Sequence, residues 1–155
     1  MPDVPTSDLP TFGMVYVESS AVLAWLLGES TEQSVRRVLD GAERVVTSAL
    51  TAVECARALA RARVTSRITP TEELAAVQLL HQAEQSWDVH ALTDRVLARA
   101  RMPMLADPVR TRDALHVATM EALRESIGPI TVLSLDERVR ACATMSGFVV
   151  EPVQL

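Results

Sequence analysis

Short runs of consecutive apolar residues alternate with segments of helical character along most of this chain. The runs predict strands over residues 14–18, 44–47, 87–92, 130–134 and 148–150. Strands that are apolar at successive positions, rather than at alternate ones, are typical of a parallel sheet covered on both faces. We therefore predict an α/β fold in which a central parallel sheet of about four to five strands is flanked by about seven helices.

Helix signals fill the intervals between these runs. The predicted helices end near residues 28, 39, 63, 85, 101, 125 and 147. Ser19 or Ser20 is predicted to cap the first helix and Ser48 the third, because a serine hydroxyl oxygen can accept a hydrogen bond from a free backbone N–H at a helix start. Ser134 and Glu137 form a capping-box pattern for the last helix.

The length of 155 residues favours a single domain, which we place at residues 14–155. Residues 1–13 are acidic, rich in proline and without a basic stretch, so they predict a flexible tail rather than a signal peptide. No apolar run approaches the roughly 18 residues of a membrane span. Two cysteines do not make a disulfide framework, so a cytoplasmic location is expected.

Four carboxylates occupy positions where a folded chain seldom places a charge. Glu18, Glu54, Asp113 and Asp136 each lie within an apolar run or at its end. A carboxylate cluster without a cation is unstable, because each like-charge pair at about 4 Å costs roughly 1–4 kcal/mol. Taken together, the four acids indicate a divalent metal site near the carboxyl ends of the strands.

Each acid taken alone also has an ordinary structural interpretation. Glu18 could be a surface acid at a strand end, and Ser20 could cap a helix instead of orienting a water molecule at a metal. Glu54 could pair with Arg57, three residues further along the same helix.

Asp113 is harder to explain as a structural charge. Val117 and Met120 follow it at positions i+4 and i+7, so the carboxylate lies on an apolar stripe and needs a partner. The helix dipole or His116 could provide that partner. Asp136 could likewise be a charge at a helix start, so the metal-site hypothesis rests on all four acids together.

The net charge of −5 argues against broad coating of nucleic acid, but the basic residues are grouped. All 15 of them are arginines, and Arg57, Arg61, Arg63 and Arg67 lie in a stretch without an acid. Arginine suits bidentate contact with phosphate. The same residues could equally form the solvated face of a helix.

Four segments carry the acids, and each contains a short motif. They read ESSAV at residues 18–22, LTAVE at 50–54, RTRDALHVAT at 110–119 and SLD at 134–136. Together they resemble the PIN domain family, and within it the VapC-type toxin ribonucleases, over residues 14–150. The third segment is the most specific match, being close to the family pattern R-T-x-D-A-L-H-x-A. The first acid of the family is usually Asp, so Glu18 is a departure that lengthens this side chain by one methylene.

The resemblance implies a three-layer PIN-like α/β domain that acts as a divalent-metal-dependent endoribonuclease, with Mg²⁺ or Mn²⁺ as cofactor. It implies hydrolysis of RNA phosphodiester bonds by metal-activated water, leaving a 5′-phosphate. A cognate antitoxin and a homodimer are the implied protein partners. The implied site comprises the catalytic and metal-binding residues Glu18, Glu54, Asp113 and Asp136, the supporting Ser20, and the candidate RNA-backbone contacts Arg57, Arg61 and Arg112.

Two other kinds of protein are alternatives to a ribonuclease. A non-catalytic PIN-like binding module would keep the fold with a site weakened by Glu18. A phosphotransfer receiver needs a lysine late in the chain, and this sequence has no lysine. His81, His90 and His116 are not spaced as zinc ligands.

Overall fold

The computed structural model describes residues 10–154, and this part of the chain forms five strands and seven helices. The predicted α/β class, with a central parallel sheet flanked by helices, is confirmed. In chain order the elements are β1 (Gly13–Val17), α1 (Ser19–Leu27), α2 (Glu32–Asp40), β2 (Ala42–Ser48), α3 (Ala49–Val64), α4 (Pro70–Ser86), β3 (Asp88–His90), α5 (Asp94–Ala100), α6 (Thr111–Ile127), β4 (Thr131–Leu133), α7 (Glu137–Met145) and β5 (Val149–Glu151).

The sheet is parallel throughout, with the strand order β3-β2-β1-β4-β5. β1 lies at its centre, where Val15 is in register with Val45 of β2 and with Thr131 of β4. The chain first adds strands on one side of β1 and then crosses to the other side with β4. This reversal creates a topological switch point at the carboxyl ends of β1 and β4, where open α/β sheets bind their ligands.

Successive residues of β1 face two different cores, which explains why this run is apolar at every position. Val15 and Val17 pack with residues of α1, α2, α3 and α4 on one face of the sheet. Tyr16 packs with residues of α6 and α7 on the other face. The sheet is therefore the middle of three layers, and its buried central strands β1 and β4 need no alternating pattern.

The predicted cap of α1 is wrong, because Glu18 occupies the position expected for Ser19 or Ser20. The Glu18 backbone is extended, and its carboxylate accepts a hydrogen bond from the Ser20 N–H at 3.1 Å. An acid that directly follows a strand has the backbone geometry of an N-cap and can reach the first turn. The predicted cap of α3 is confirmed, since the Ser48 side chain accepts from the N–H of Leu50.

The predicted capping box of α7 is also wrong. Asp136, rather than Ser134, is the N-cap, and its Oδ1 accepts from the N–H groups of Arg138 at 2.9 Å and Val139 at 3.3 Å. Asp136 is again the residue with extended backbone immediately before the helix. Two of the four acids thus stabilise helix starts as well as belonging to the expected site.

The predicted tail falls mostly outside the described residues, since these begin at residue 10. Within them, Phe12 donates its backbone N–H to the Gly41 carbonyl at 2.9 Å, and its side chain packs against the core that contains Val15 and Val17. Between residues 10 and 154, no helix combines the length and apolar character that crossing a membrane requires.

Candidate active site

The expected site residues lie around the carboxyl ends of β1 and β4, at the switch point of the sheet. Glu18 follows β1 directly, and Ser134 and Asp136 follow β4. Glu54 comes from α3 on one face of the sheet, and Asp113 comes from α6 on the other. Hydrogen bonds and ion pairs join all four acids into one network.

Glu18 is held by a group of hydroxyls that we call the serine collar, formed by Ser19, Ser20 and Ser134. The Ser19 hydroxyl donates to Glu18 Oε1 at 2.5 Å, and the Ser134 hydroxyl donates to Oε2 at 2.8 Å. The Ser20 hydroxyl also donates to Oε2. Glu18 is only 4% exposed, so these hydroxyls replace the water that its carboxylate loses on burial.

Ser20 connects the turn after β1 to the turn after β4. Its hydroxyl oxygen accepts from the backbone N–H groups of Leu135 at 2.8 Å and Asp136 at 3.1 Å. Ser20 was expected to cap α1 or to orient a water molecule, and it does not provide the cap. Its observed contacts fix the distance between Glu18 and Asp136, which lie 118 positions apart in the numbering.

Glu54 is hydrogen-bonded to His116, and the alternative interpretation, a helix pair with Arg57, is not what the structure shows. Its Oε2 lies 2.6 Å from His116 Nε2, and its Oε1 lies 3.9 Å from Arg112 Nη1. Burial pushes the pKa of Glu54 upward, but the His116 hydrogen bond and the Arg112 charge outweigh it and hold the pKa below its ordinary value. Glu54 is therefore ionised at neutral pH.

His116 itself is buried and bridges the two faces of the site. Its Nδ1 lies 2.6 Å from the Tyr16 hydroxyl, and its Nε2 lies 3.9 Å from Glu18 Oε1 as well as close to Glu54. His116, one of the two candidate partners considered for Asp113, instead pairs with Tyr16 and Glu54. Sequence reasoning missed Tyr16 altogether, although a histidine on an apolar helical stripe is a signal that two polar partners must be found.

Asp113 is the least satisfied acid of the cluster. It is 2% exposed, and no described group donates a hydrogen bond to its Oδ1. Burial, and next the negative charge of Asp136, raise the pKa of Asp113 above its ordinary value. A buried carboxylate oxygen without a hydrogen bond is costly, and Asp113 Oδ1 has only the ion pair with Arg112 Nε at 3.4 Å, so a cation would stabilise it.

Among the described residues, Arg112 is the only arginine that forms ion pairs with Glu54, Asp113 and Asp136. Its Nε lies 3.4 Å from Asp113, its Nη2 lies 3.3 Å from Asp136, and its Nη1 lies 3.9 Å from Glu54. The side chain is 50% exposed, so solvent screens these ion pairs. Arg57 and Arg61, the other candidate RNA contacts, are exposed on α3 and form no ion pair with another described residue.

The donor atoms at this edge fit a hard divalent cation. The four acids offer carboxylate oxygens, which Mg²⁺ and Mn²⁺ prefer, and Asp113 Oδ1 receives no hydrogen bond from a described group. Oxygens of Glu18 and Glu54 lie within 4.8 Å of each other and of His116 Nε2, close enough to share one ion. That close group does not include Asp113 or Asp136, which join the network through Arg112.

Comparisons with known proteins agree with this architecture. The family model described as "PIN domain" matches residues 15–144, a range that includes all four acids. Ribonuclease VapC46 of Mycobacterium tuberculosis is 29% identical over 136 residues, which cover 88% of this chain and 95% of that protein.

Solved structures show the same fold at lower identity. VapC20 of Mycobacterium tuberculosis, described as a toxin that cleaves the sarcin-ricin loop, superposes with a TM-score of 0.61 at 20% identity, over 87% of this chain and 96% of that chain. PAE2754 of Pyrobaculum aerophilum superposes with a TM-score of 0.55 at 17% identity, over 96% of this chain and 92% of that chain.

Proposed function

Because the chain belongs to the PIN domain family, we propose that it is a divalent-metal-dependent endoribonuclease of the VapC type, the toxin of a toxin–antitoxin pair. The observation that carries this proposal is the buried carboxylate cluster at the switch point, in which Asp113 Oδ1 receives no hydrogen bond from a described group. The relation to Ribonuclease VapC46 supports RNA as the substrate.

Four carboxylates would hold the cofactor, with Glu18 and Asp113 as direct ligands and Glu54 and Asp136 completing the site. The chemistry that bound Mg²⁺ or Mn²⁺ supplies is activation of water and stabilisation of charge on the phosphate. Glu54 can serve as an oxygen ligand at neutral pH because its pKa is below the ordinary value, burial being outweighed by His116 and Arg112.

The remaining residues of the site would act by orientation and charge. The serine collar holds the Glu18 carboxylate in place through its hydroxyls. Arg57 and Arg61 are exposed on α3, the helix that carries Glu54, and would attract the RNA backbone. Arg112 is half exposed and would contribute to the same attraction.

A cleavage assay with purified protein tests the proposal. We expect a labelled RNA, including one with the sarcin-ricin loop sequence, to be cut in Mg²⁺ or Mn²⁺ and to leave a 5′-phosphate. A chelator should abolish cleavage, and added metal should restore it. DNA of the same sequence is the control substrate. Undiminished cleavage in the chelator would overturn the metal mechanism, and metal binding without any cleavage would favour a PIN-like binding module.

An antitoxin and a second copy of the chain are the proposed protein partners. A partner that packed on α3 would bury Val53 and Val64, which are 58% and 70% exposed.

Replacing Arg112 by Gln is expected to tighten Mn²⁺ binding by about tenfold. Arg112 is a cation beside three acids, and partly exposed pairs contribute about 0.2–1 kcal/mol each. A gain of about 1.4 kcal/mol corresponds to tenfold in affinity. Because these ion pairs also stabilise the metal-free fold, the melting temperature of the metal-free variant should fall by about 2–4 °C for each kcal/mol lost from the free energy of unfolding. Isothermal titration calorimetry and thermal melts measure the two effects.

Arg95→Gln is the matched control for this variant. It removes an exposed ion pair with Glu125 between α5 and α6, away from the acids. Its Mn²⁺ affinity should equal that of the wild type. Weaker Mn²⁺ binding by the Arg112 variant would show that Arg112 assists the cation instead of competing with it.

A further inference from the structure

Tyr16, His116 and Glu54 form a chain of hydrogen bonds that runs from the core to the acid cluster. Tyr16 lies on β1, is fully buried, and its hydroxyl is 2.6 Å from His116 Nδ1. His116 Nε2 is 2.6 Å from Glu54 Oε2 on α3. The three residues come from three elements, and their contacts cross the sheet from the α6 face to the α3 face.

The donors and acceptors of these two hydrogen bonds follow from the chemistry of the side chains. The Tyr16 phenol carries an O–H that can donate to Nδ1, and the Glu54 carboxylate oxygen can only accept from Nε2. A neutral imidazole has one donor and one acceptor nitrogen, so it satisfies both neighbours in one form alone. In that form Nδ1 accepts from Tyr16, and the Nε2–H donates to Glu54.

We propose that Tyr16 and His116 are positioning residues of the metal centre, with Tyr16 fixing His116 as the Nε2–H tautomer and His116 orienting the Glu54 carboxylate. This inference rests on the proposed nuclease function. It excludes His116 as a metal ligand, although its Nε2 lies within 4.8 Å of oxygens of Glu18 and Glu54. The nitrogen that would have to bind the cation already carries a proton shared with Glu54.

The consequence for Glu54 is that its two oxygens have different tasks. Oε2 is engaged by His116 at 2.6 Å, whereas Oε1 lies 3.9 Å from the half-exposed Arg112. Oε1 is therefore the atom of Glu54 left free to act as a ligand. Groups that orient ligands in this way typically change metal affinity or activity by about 10- to 100-fold when they are removed.

The tautomer can be read directly by nitrogen NMR of the imidazole rings. The chain contains three histidines, so few signals need assignment, and substitution of His116 identifies its own. We expect His116 to carry its proton on Nε2 in the metal-free protein and to keep it there when Mg²⁺ is bound. A proton on Nδ1, or loss of the Nε2 proton on addition of Mg²⁺, would overturn the proposal.

Three variants separate positioning from ligation through Mn²⁺ affinity. Tyr16→Phe keeps the ring and removes only the hydroxyl, so Nδ1 loses its donor, the imidazole is held less firmly and affinity should fall about tenfold. His116→Leu should lose at least as much. His116→Gln can still present an amide N–H to Glu54, so it should recover most of that loss. Equal losses in the Gln and Leu variants would contradict positioning, as would unchanged affinity in Tyr16→Phe.

Two controls keep these outcomes interpretable. His90→Gln changes a histidine at the end of β3 that contacts only the Ala91 carbonyl among its described hydrogen bonds, and its affinity should match the wild type. Thermal melts of each variant show whether it folds, and the NMR experiment reports the tautomer in the wild-type protein itself. Both readouts are independent of RNA. Metal binding with the expected tautomer but without RNA cleavage would refute the nuclease function and leave the positioning inference standing.

Discussion

Replacing Asp113 by Asn is expected to reduce metal-dependent RNA cleavage about a thousandfold. Asp113 is buried, and no described group donates a hydrogen bond to its Oδ1. Arg112 Nε lies 3.4 Å from this oxygen, but the arginine is half exposed, so Oδ1 stays available to a bound cation. Metal catalysis is worth several kcal/mol of transition-state stabilisation, and each 1.36 kcal/mol is tenfold in rate. Single-turnover cleavage at saturating Mn²⁺ measures the loss.

The same substitution should not unfold the domain. An ionised carboxylate that is buried and close to Asp136 destabilises the metal-free fold, so the neutral Asn is expected to raise its melting temperature by about 2–4 °C per kcal/mol relieved. Addition of Mn²⁺ should raise the melting temperature of the wild type and leave that of the variant unchanged.

The pH dependence of this stability difference has a defined sign. Burial and Asp136 raise the pKa of Asp113 in the folded state, so the folded protein binds a proton at a higher pH than the unfolded chain does. Above the folded pKa the destabilisation by the ionised group is complete. As pH falls through the folded pKa it is relieved, and the wild type should approach the variant in stability.

Asp94→Asn is the matched control for Asp113→Asn. Asp94 is also an acid in the first turn of a helix, but it is exposed on α5. Its removal should leave cleavage at the wild-type rate. Full cleavage by the Asp113 variant, with wild-type metal affinity, would refute the assignment of Asp113 as a ligand.

The second large effect is expected from Glu18→Asp, which should lower Mn²⁺ affinity and cleavage about a hundredfold. This substitution restores the residue type that the family usually has, so a simple comparison of motifs would predict a gain. The serine collar predicts a loss, because Ser19, Ser20 and Ser134 contact the carboxylate of the longer side chain. Removing one methylene withdraws that carboxylate by about 1.5 Å.

Calorimetric Mn²⁺ titration and single-turnover cleavage measure this effect. Glu29→Asp makes the same chemical change at an exposed position after α1 and should be neutral. A Glu18→Asp protein that binds and cleaves as well as the wild type would show that the collar adapts to either side chain. Glu and Asp would then be equivalent at position 18 for metal binding and cleavage.

The sequence predicted the sheet well because the buried parallel strands are short and apolar at every position. The same pattern placed Glu18 and Asp136 at strand ends, since each follows a run directly. It could not indicate that both acids cap helices, because capping depends on which residue adopts extended backbone. Serine was therefore assigned to both caps.

The partners of the acids were harder to predict because they are distant in the chain. Glu54 and His116 are 62 positions apart, and Tyr16 and His116 are 100 apart. Nearby alternatives, such as Arg57 for Glu54, satisfied the helical spacing, whereas no spacing rule indicates a partner so far along the chain. Arg112 was assigned to RNA because an exposed arginine gives no sequence signal that it lies beside three acids.

The contacts of Ser20 have a consequence for how the protein is made. This hydroxyl meets the backbone of Leu135 and Asp136, and Ser134 completes the collar around Glu18. During translation, every part of the site from β1 to α6 is therefore synthesised before the segment that locks Glu18 in place. While Ser134 is still inside the ribosome, Glu18 lacks the Ser134 hydroxyl and Ser20 lacks its two backbone donors, so the turn after β1 is not yet tied to the turn after β4.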